Sequence, residues 1–353
     1  MTNNNQQAFL ELVRAGLWEK EARLLPYGEV NYAEIMRLAQ EQAVVGLVAA
    51  GIEHVVDIKL PQADVLQFVG QTLQLEQRNV VLNAFIARLI DDLRQADIYT
   101  ILVKGQGIAQ CYERPMWRVS GDVDLLLSKD NFEKAKKLLL PLSTGSKPEC
   151  NYSKELGFNI DSWSVELHGT QRTGLSTRLD KEIDAVQNDL FYGSNVRSWQ
   201  NGNITVYLPS PENDVFIVFT HFIKHFYKEG GVSIRQLCDC CRLLWRYKDS
   251  LNFGLLESRL KRAGLKTEWR AFAAVAVDYL GMPVEAMPLY SDGGGWSRKA
   301  NNIVGFVLKG GEWRKWKDTM IVGRIFPAST LLFAPGILLN ANWLKVTESL
   351  SKK

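Results

Sequence analysis

The run Gly121-Asp122-Val123-Asp124-Leu125-Leu126-Leu127 sets two carboxylates one residue apart at the head of an apolar stretch. In a strand, alternate side chains point to one face, so Asp122 and Asp124 would project together. Like charges held that close repel unless a cation or a shared proton lies between them. A third acid stands in Ser164-Val165-Glu166-Leu167-His168, where Ser164, Glu166 and His168 share one face of an alternating strand. If neighbouring strands bring Glu166 up to the aspartate pair, three carboxylates form a hard oxygen site suited to Mg²⁺ or Mn²⁺. Such ions activate an attacking hydroxyl and stabilise the leaving pyrophosphate of a nucleoside triphosphate. The plainer alternative is that Asp122 caps a turn and Asp124 pairs with Arg118.

Upstream, Lys104-Gly105-Gln106-Gly107 joins the β-rich run "YTILV" to the helix-like "IAQCYE". Glycine at a strand-to-helix turn lets backbone N–H groups approach a phosphate. Lys104 is placed to reach a phosphate or a leaving group as a point charge, or simply to face solvent at a strand end. Arg118 offers the same chemistry, or a bidentate pair that orients Asp122. Further on, Arg235 and Asp239 stand four apart in a helical pattern and are expected to meet as a local ion pair.

These residues resemble the nucleotidyltransferases of the DNA polymerase β superfamily, and more narrowly a bacterial family of uncharacterised nucleotidyltransferases. The matching motifs are Val103-Lys104-Gly105, the run from Arg118 through Gly121, Asp122 and Asp124 to Leu126, and Glu166-Leu167-His168. The resemblance extends to "HFIKHF" and "IRQLCDCCRLL", so it covers most of the chain. The wider superfamily usually has Gly-Ser or Gly-Gly at the turn, where this chain has Gly105-Gln106. The resemblance implies a nucleotidyltransferase fold with metal ligands at Asp122, Asp124 and Glu166. It also implies a helix bordering the cleft that carries Arg235 toward nucleotide or acceptor, while Lys104, Gly105, Gln106 and Arg118 are expected to contact nucleotide from the chemistry of the turn itself.

The elements that must position these groups fall into three regions. Residues 1–97 read as helix, with Ile35, Leu38, Ala39 and Ala43 recurring at three and four. Residues 98–210 alternate strands and helices, with strands at "YTILV", "DVDLLLS", "SWSVELHGT" and "ITVYLP". Residues 211–353 return to helices. The expected fold class is α+β: a small mixed-sheet nucleotidyltransferase domain flanked by N- and C-terminal helical regions.

Composition sets the outer bounds. With 42 basic against 39 acidic residues the net charge is +3, too balanced for nucleic acid to be a bulk electrostatic partner. A local patch around Lys309, Trp313, Arg314, Lys315, Trp316 and Lys317 reads first as a solvated helix end. Five unevenly spaced cysteines give no disulfide framework, which points to a reducing cytoplasm. The most apolar stretch, "RIFPASTLLFAPGILLNANWL", is interrupted by Pro327, Pro335, Asn340 and Asn342, so a transmembrane span is not expected.

His221 and His225 have the helical spacing that can hold zinc, but the glutamate of a metalloprotease motif is missing, since residue 222 is Phe. Cys238, Cys240 and Cys241 read as thiols at a helix–helix interface. The leading expectation is transfer of an NMP group from an NTP to an unidentified acceptor: a small molecule, a tRNA end or a protein. Two alternatives stand beside it. One is a catalytically silent nucleotide-binding module on the same fold. The other, a D-x-D glycosyltransferase, is disfavoured because residues 1–97 lack the strands its nucleotide half requires. An Asp124→Asn change is expected to leave the fold intact or slightly stabilised, by relieving a like-charge cluster.

Overall fold

The computed structural model describes residues 3–150, 152, 154–229, 232–309 and 315–333, with side chains from 318 in the last segment. At its centre is a five-stranded mixed sheet built from β1 (Thr100–Val103), β2 (Val123–Leu127), β3 (Gly145–Ser146), β4 (Glu155–Ile160) and β5 (Trp163–His168). The strand order is β1-β2-β5-β4-β3. Only β2 and β5 run parallel, and the other pairs are antiparallel. Helices flank the sheet, and the α+β class stands.

The central strand β2 is buried along its whole length. That explains its nearly continuous apolar run, since a strand covered on both faces has no solvated side on which to alternate. Val123, Leu125 and Leu127, with Val165 and Leu167 of β5, pack under the long helix Gln62–Gln95 and the helix Lys129–Leu139. Each such side chain contributes about 1.5–3 kcal/mol by burial. Leu126 faces the other way, into a larger core shared with the N-terminal helices and the helices after Pro211. Asp124 is the one charged residue in β2, and it lies on this second face.

The run "ITVYLP" does not join this sheet. It forms β7 (Ile204–Pro209), paired antiparallel with β6 (Val196–Asn201) in a separate hairpin. Gly202 (φ +61°) and Asn203 make the two-residue turn, a local signal that outweighs any pull toward the main sheet. The hairpin packs beside β1, where the Tyr99 and Tyr207 rings lie 5.2 Å apart.

The N-terminal helices bear directly on the loop that enters β2. A Cβ on Gly46 would lie 2.0 Å from the Trp117 carbonyl oxygen, so only glycine permits this approach. On the opposite side, the helix Pro211–Lys224 continues into one π-helical turn, His225–Glu229, and the helix Ile234–Arg246 follows. Trp313 and Arg314, and the side chains of Lys315, Trp316 and Lys317, lie outside the described residues, as do Pro335, Asn340 and Asn342. No helix among the described residues is long and apolar enough to cross a membrane.

Candidate active site

Parallel pairing of β2 with β5 puts Asp124 in register with Glu166, while antiparallel pairing of β1 with β2 puts Val103 opposite Asp124. Lys104, the next residue, therefore leaves β1 beside the Asp124 carboxylate. Its Nζ donates to Asp124 Oδ1 at 2.7 Å. The same oxygen accepts from His168 Nε2 at 2.9 Å, which fixes the proton on that nitrogen because an ionised carboxylate only accepts. Glu166 Oε2 lies 3.7 Å from His168 Nε2. Asp124, Glu166 and His168 each offer a ligand atom within 4.8 Å of the others.

Asp122 stands apart from this trio. It precedes β2 instead of opening it and is exposed, but it lines the same cavity. The cavity has a volume of about 440 Å³, and Lys104, Gly105, His221 and Arg235 also line it.

The charges here are unevenly balanced. Burial pushes the Asp124 carboxyl up, but Lys104 and His168 outweigh it and hold the group well below the usual carboxylate range. Glu166 moves the other way: burial raises it, and the neighbouring Asp124 charge raises it further. His221, on the opposite wall, is pushed well down by burial and by Lys104, which keeps its ring neutral. Lys104 Nζ approaches His221 Nδ1 at 3.4 Å, so that nitrogen accepts, and Nε2–H donates to His225 Nε2 at 3.1 Å.

The backbone at the strand-to-helix joint is strained. Lys104 has φ +60° and ψ −152°, a region that favours glycine, and Gly105 follows at φ +48°. A non-glycine residue there costs about 1–3 kcal/mol, and such strain persists where the surroundings over-determine the conformation. Gln106 turns away from the cavity. Its side chain is buried and donates to Asn79 Oδ1 at 2.9 Å, while Asn79 donates to the carbonyls of Met116 and Arg118.

Arg118 pairs with neither Asp122 nor Asp124. Its Nε and Nη2 donate to the two oxygens of Asp239 at 2.7 Å each, and Nη1 donates to Ser120 Oγ at 2.8 Å. Tyr112 adds its hydroxyl to Asp239 at 2.7 Å. Asp239 is thus taken across the interface instead of by its helical neighbour Arg235. Arg235 donates only weakly, from Nη1 to the Val119 carbonyl at 3.3 Å, and its buried Nε has no partner among the described residues. Burial and the nearby Arg118 charge lower its affinity for its proton.

Sequence reasoning missed His168 as a member of the acidic cluster and Asp239 as the partner of Arg118. The first was signalled by its place two residues beyond Glu166 on the same strand face. The second had no local signal, because Arg118 and Asp239 meet only through the tertiary fold. The thiols of Cys238, Cys240 and Cys241 are free and buried, as a helix interface requires.

The donor chemistry suits a divalent cation. Two carboxylates in strand register and a third lining the same cavity supply hard oxygen ligands, and a cation would relieve the repulsion that raises Glu166. No curated protein and no solved structure matches the chain. Residues 28–281 match the uncharacterised nucleotidyltransferase family, and the chain belongs to that family.

Proposed function

We propose that the protein is a divalent-metal-dependent nucleotidyltransferase that moves an NMP group from an NTP to an acceptor hydroxyl, phosphate or amine. The observation that carries this reading is the strand register of Asp124 with Glu166 at the floor of a cation-lined cavity. Family membership supports the reaction class. The motif likeness to the DNA polymerase β superfamily supports a role for Asp122, Asp124 and Glu166 as the residues that would hold Mg²⁺ or Mn²⁺. The bound ion supplies Lewis acidity toward the phosphoryl group and the acceptor.

The chain's own residues supply the rest. Lys104 and Arg235 line the cavity and give the triphosphate an ammonium and a guanidinium whose bond to the Val119 carbonyl, at 3.3 Å, is weak. His168 orients Asp124 through its Nε2–H. Arg118 acts at one remove, tying the loop before β2 to the helix that presents Arg235. Gly105 lines the cavity, whereas Gln106 holds the turn from behind by bonding Asn79.

Incubation of the full chain with each α-labelled NTP and Mg²⁺ tests the reading. Label on a product or on protein is the expected result. Tight nucleotide binding with no label transferred to any acceptor fraction would instead mark a catalytically silent module.

A further inference from the structure

The carboxylate at the centre of the site is already neutralised by the protein itself. Asp124 Oδ1 takes both the Lys104 ammonium at 2.7 Å and the His168 Nε2–H at 2.9 Å, and the Lys104 and Asp124 side chains are only 12% and 9% exposed. A divalent cation cannot share that oxygen with an ammonium at contact distance without strong repulsion, least of all where water is scarce.

We infer that Lys104 is a resident counter-ion that keeps divalent metal off Asp124 until a triphosphate draws its ammonium away, so that metal and nucleotide load together. This rests on the metal-dependent reading above. Three features of the cavity make the exchange workable. Lys104 carries its charge on a flexible four-carbon stem, so Nζ can swing while the strained backbone at φ +60° stays fixed. Its second neighbour, His221 Nδ1 at 3.4 Å, is an uncharged acceptor on the far wall that can keep a departing ammonium hydrogen-bonded. The Arg235 guanidinium lines the same cavity and repels a free ammonium, so Lys104 leaves Asp124 only when added negative charge offsets both cations. A triphosphate brings that charge, whereas a bare metal ion adds only more positive charge.

Mn²⁺ titration of the full chain without nucleotide, read by loss of the free-ion EPR signal, tests the inference. Lys104→Gln is expected to bind Mn²⁺ at least ~10-fold more tightly than wild type, the range of ordinary coupling between sites. The gain should vanish in the Lys104→Gln/Asp124→Asn double variant. Equal Mn²⁺ affinity of wild type and Lys104→Gln overturns the inference and leaves the metal site standing. Should Lys104→Gln fail to fold, acetic anhydride labelling of wild type decides: Mn²⁺ without nucleotide should leave modification of Lys104 unchanged, because the ammonium stays on Asp124, and a rise in labelling on adding Mn²⁺ alone overturns the inference. No Mn²⁺ binding by any of these proteins, with or without a non-hydrolysable NTP, overturns the metal-dependent reading itself.

Discussion

Arg118 and Asp239 form a two-bond ion pair, Nε to Oδ1 and Nη2 to Oδ2 at 2.7 Å each, buried between the loop before β2 and the helix Ile234–Arg246. The pair locks the helical C-terminal region onto the sheet at the edge of the cavity. By occupying Asp239, it leaves Arg235 without its nearest acid.

Breaking such a pair strands a buried charge. Arg118→Met should lower unfolding stability by about 3–5 kcal/mol, measured by urea denaturation. A loss below about 1 kcal/mol, the range of an exposed pair, would show that the contact does not hold the two regions together.

The same pair gives the fold an acid-sensitive component. Burial pushes the Asp239 carboxyl up, but the Arg118 charge and hydrogen bonds outweigh it and set the group below its ordinary value. In the unfolded chain the carboxyl takes up its proton near pH ~3.9, before the folded protein does. The stabilisation is therefore complete above that pH and is lost as pH falls through the lower folded value. The urea midpoint of wild type should drop more between pH 5 and pH 3 than that of Asp239→Asn. Parallel acid slopes for the two proteins would contradict the assignment.

Arg235 differs from Arg118 in having little to hold. Arg235→Met should leave stability nearly unchanged while weakening a non-hydrolysable NTP by roughly tenfold or more, the worth of one charge-assisted hydrogen bond. Calorimetric titration measures it. A large stability loss with unchanged nucleotide affinity would make Arg235 a structural residue.

Asp124→Asn no longer looks neutral for the fold. The like-charge argument holds for Glu166, but Asp124 is balanced by Lys104 and His168, so an amide there leaves a largely buried ammonium without its counter-ion. The expected loss is near the lower end of ~3–5 kcal/mol, because His221 remains as a second neighbour for Lys104. Thermal or urea unfolding of the variant reads it, and an increase in stability would restore the simpler repulsion picture.

The parts of the site legible from sequence are those set by short-range rules. Strand alternation placed Glu166 and His168 on one face, and the apolar run after Asp122 marked a buried strand. The helical regions followed from periodicity. What sequence could not supply were relations made only by the tertiary fold: Asp239 reaching Arg118 across the interface, Gln106 turning back onto Asn79, and β7 leaving the sheet for a hairpin with β6. Asp122 was read as the strand's first residue, yet β2 starts at Val123, where its pairing with β5 begins opposite Val165. Lys104 carried no sequence signal of its strained backbone, since positive φ at a non-glycine residue depends on what surrounds it.

Anomalous diffraction from crystals soaked with Mn²⁺ and a non-hydrolysable NTP shows whether the cavity loads metal at its paired carboxylates. A manganese peak is expected between the Asp124 and Glu166 carboxylates, with the triphosphate reaching Lys104 and Arg235. A nucleotide bound in the cavity with no metal at those two carboxylates would contradict the metal-dependent reading.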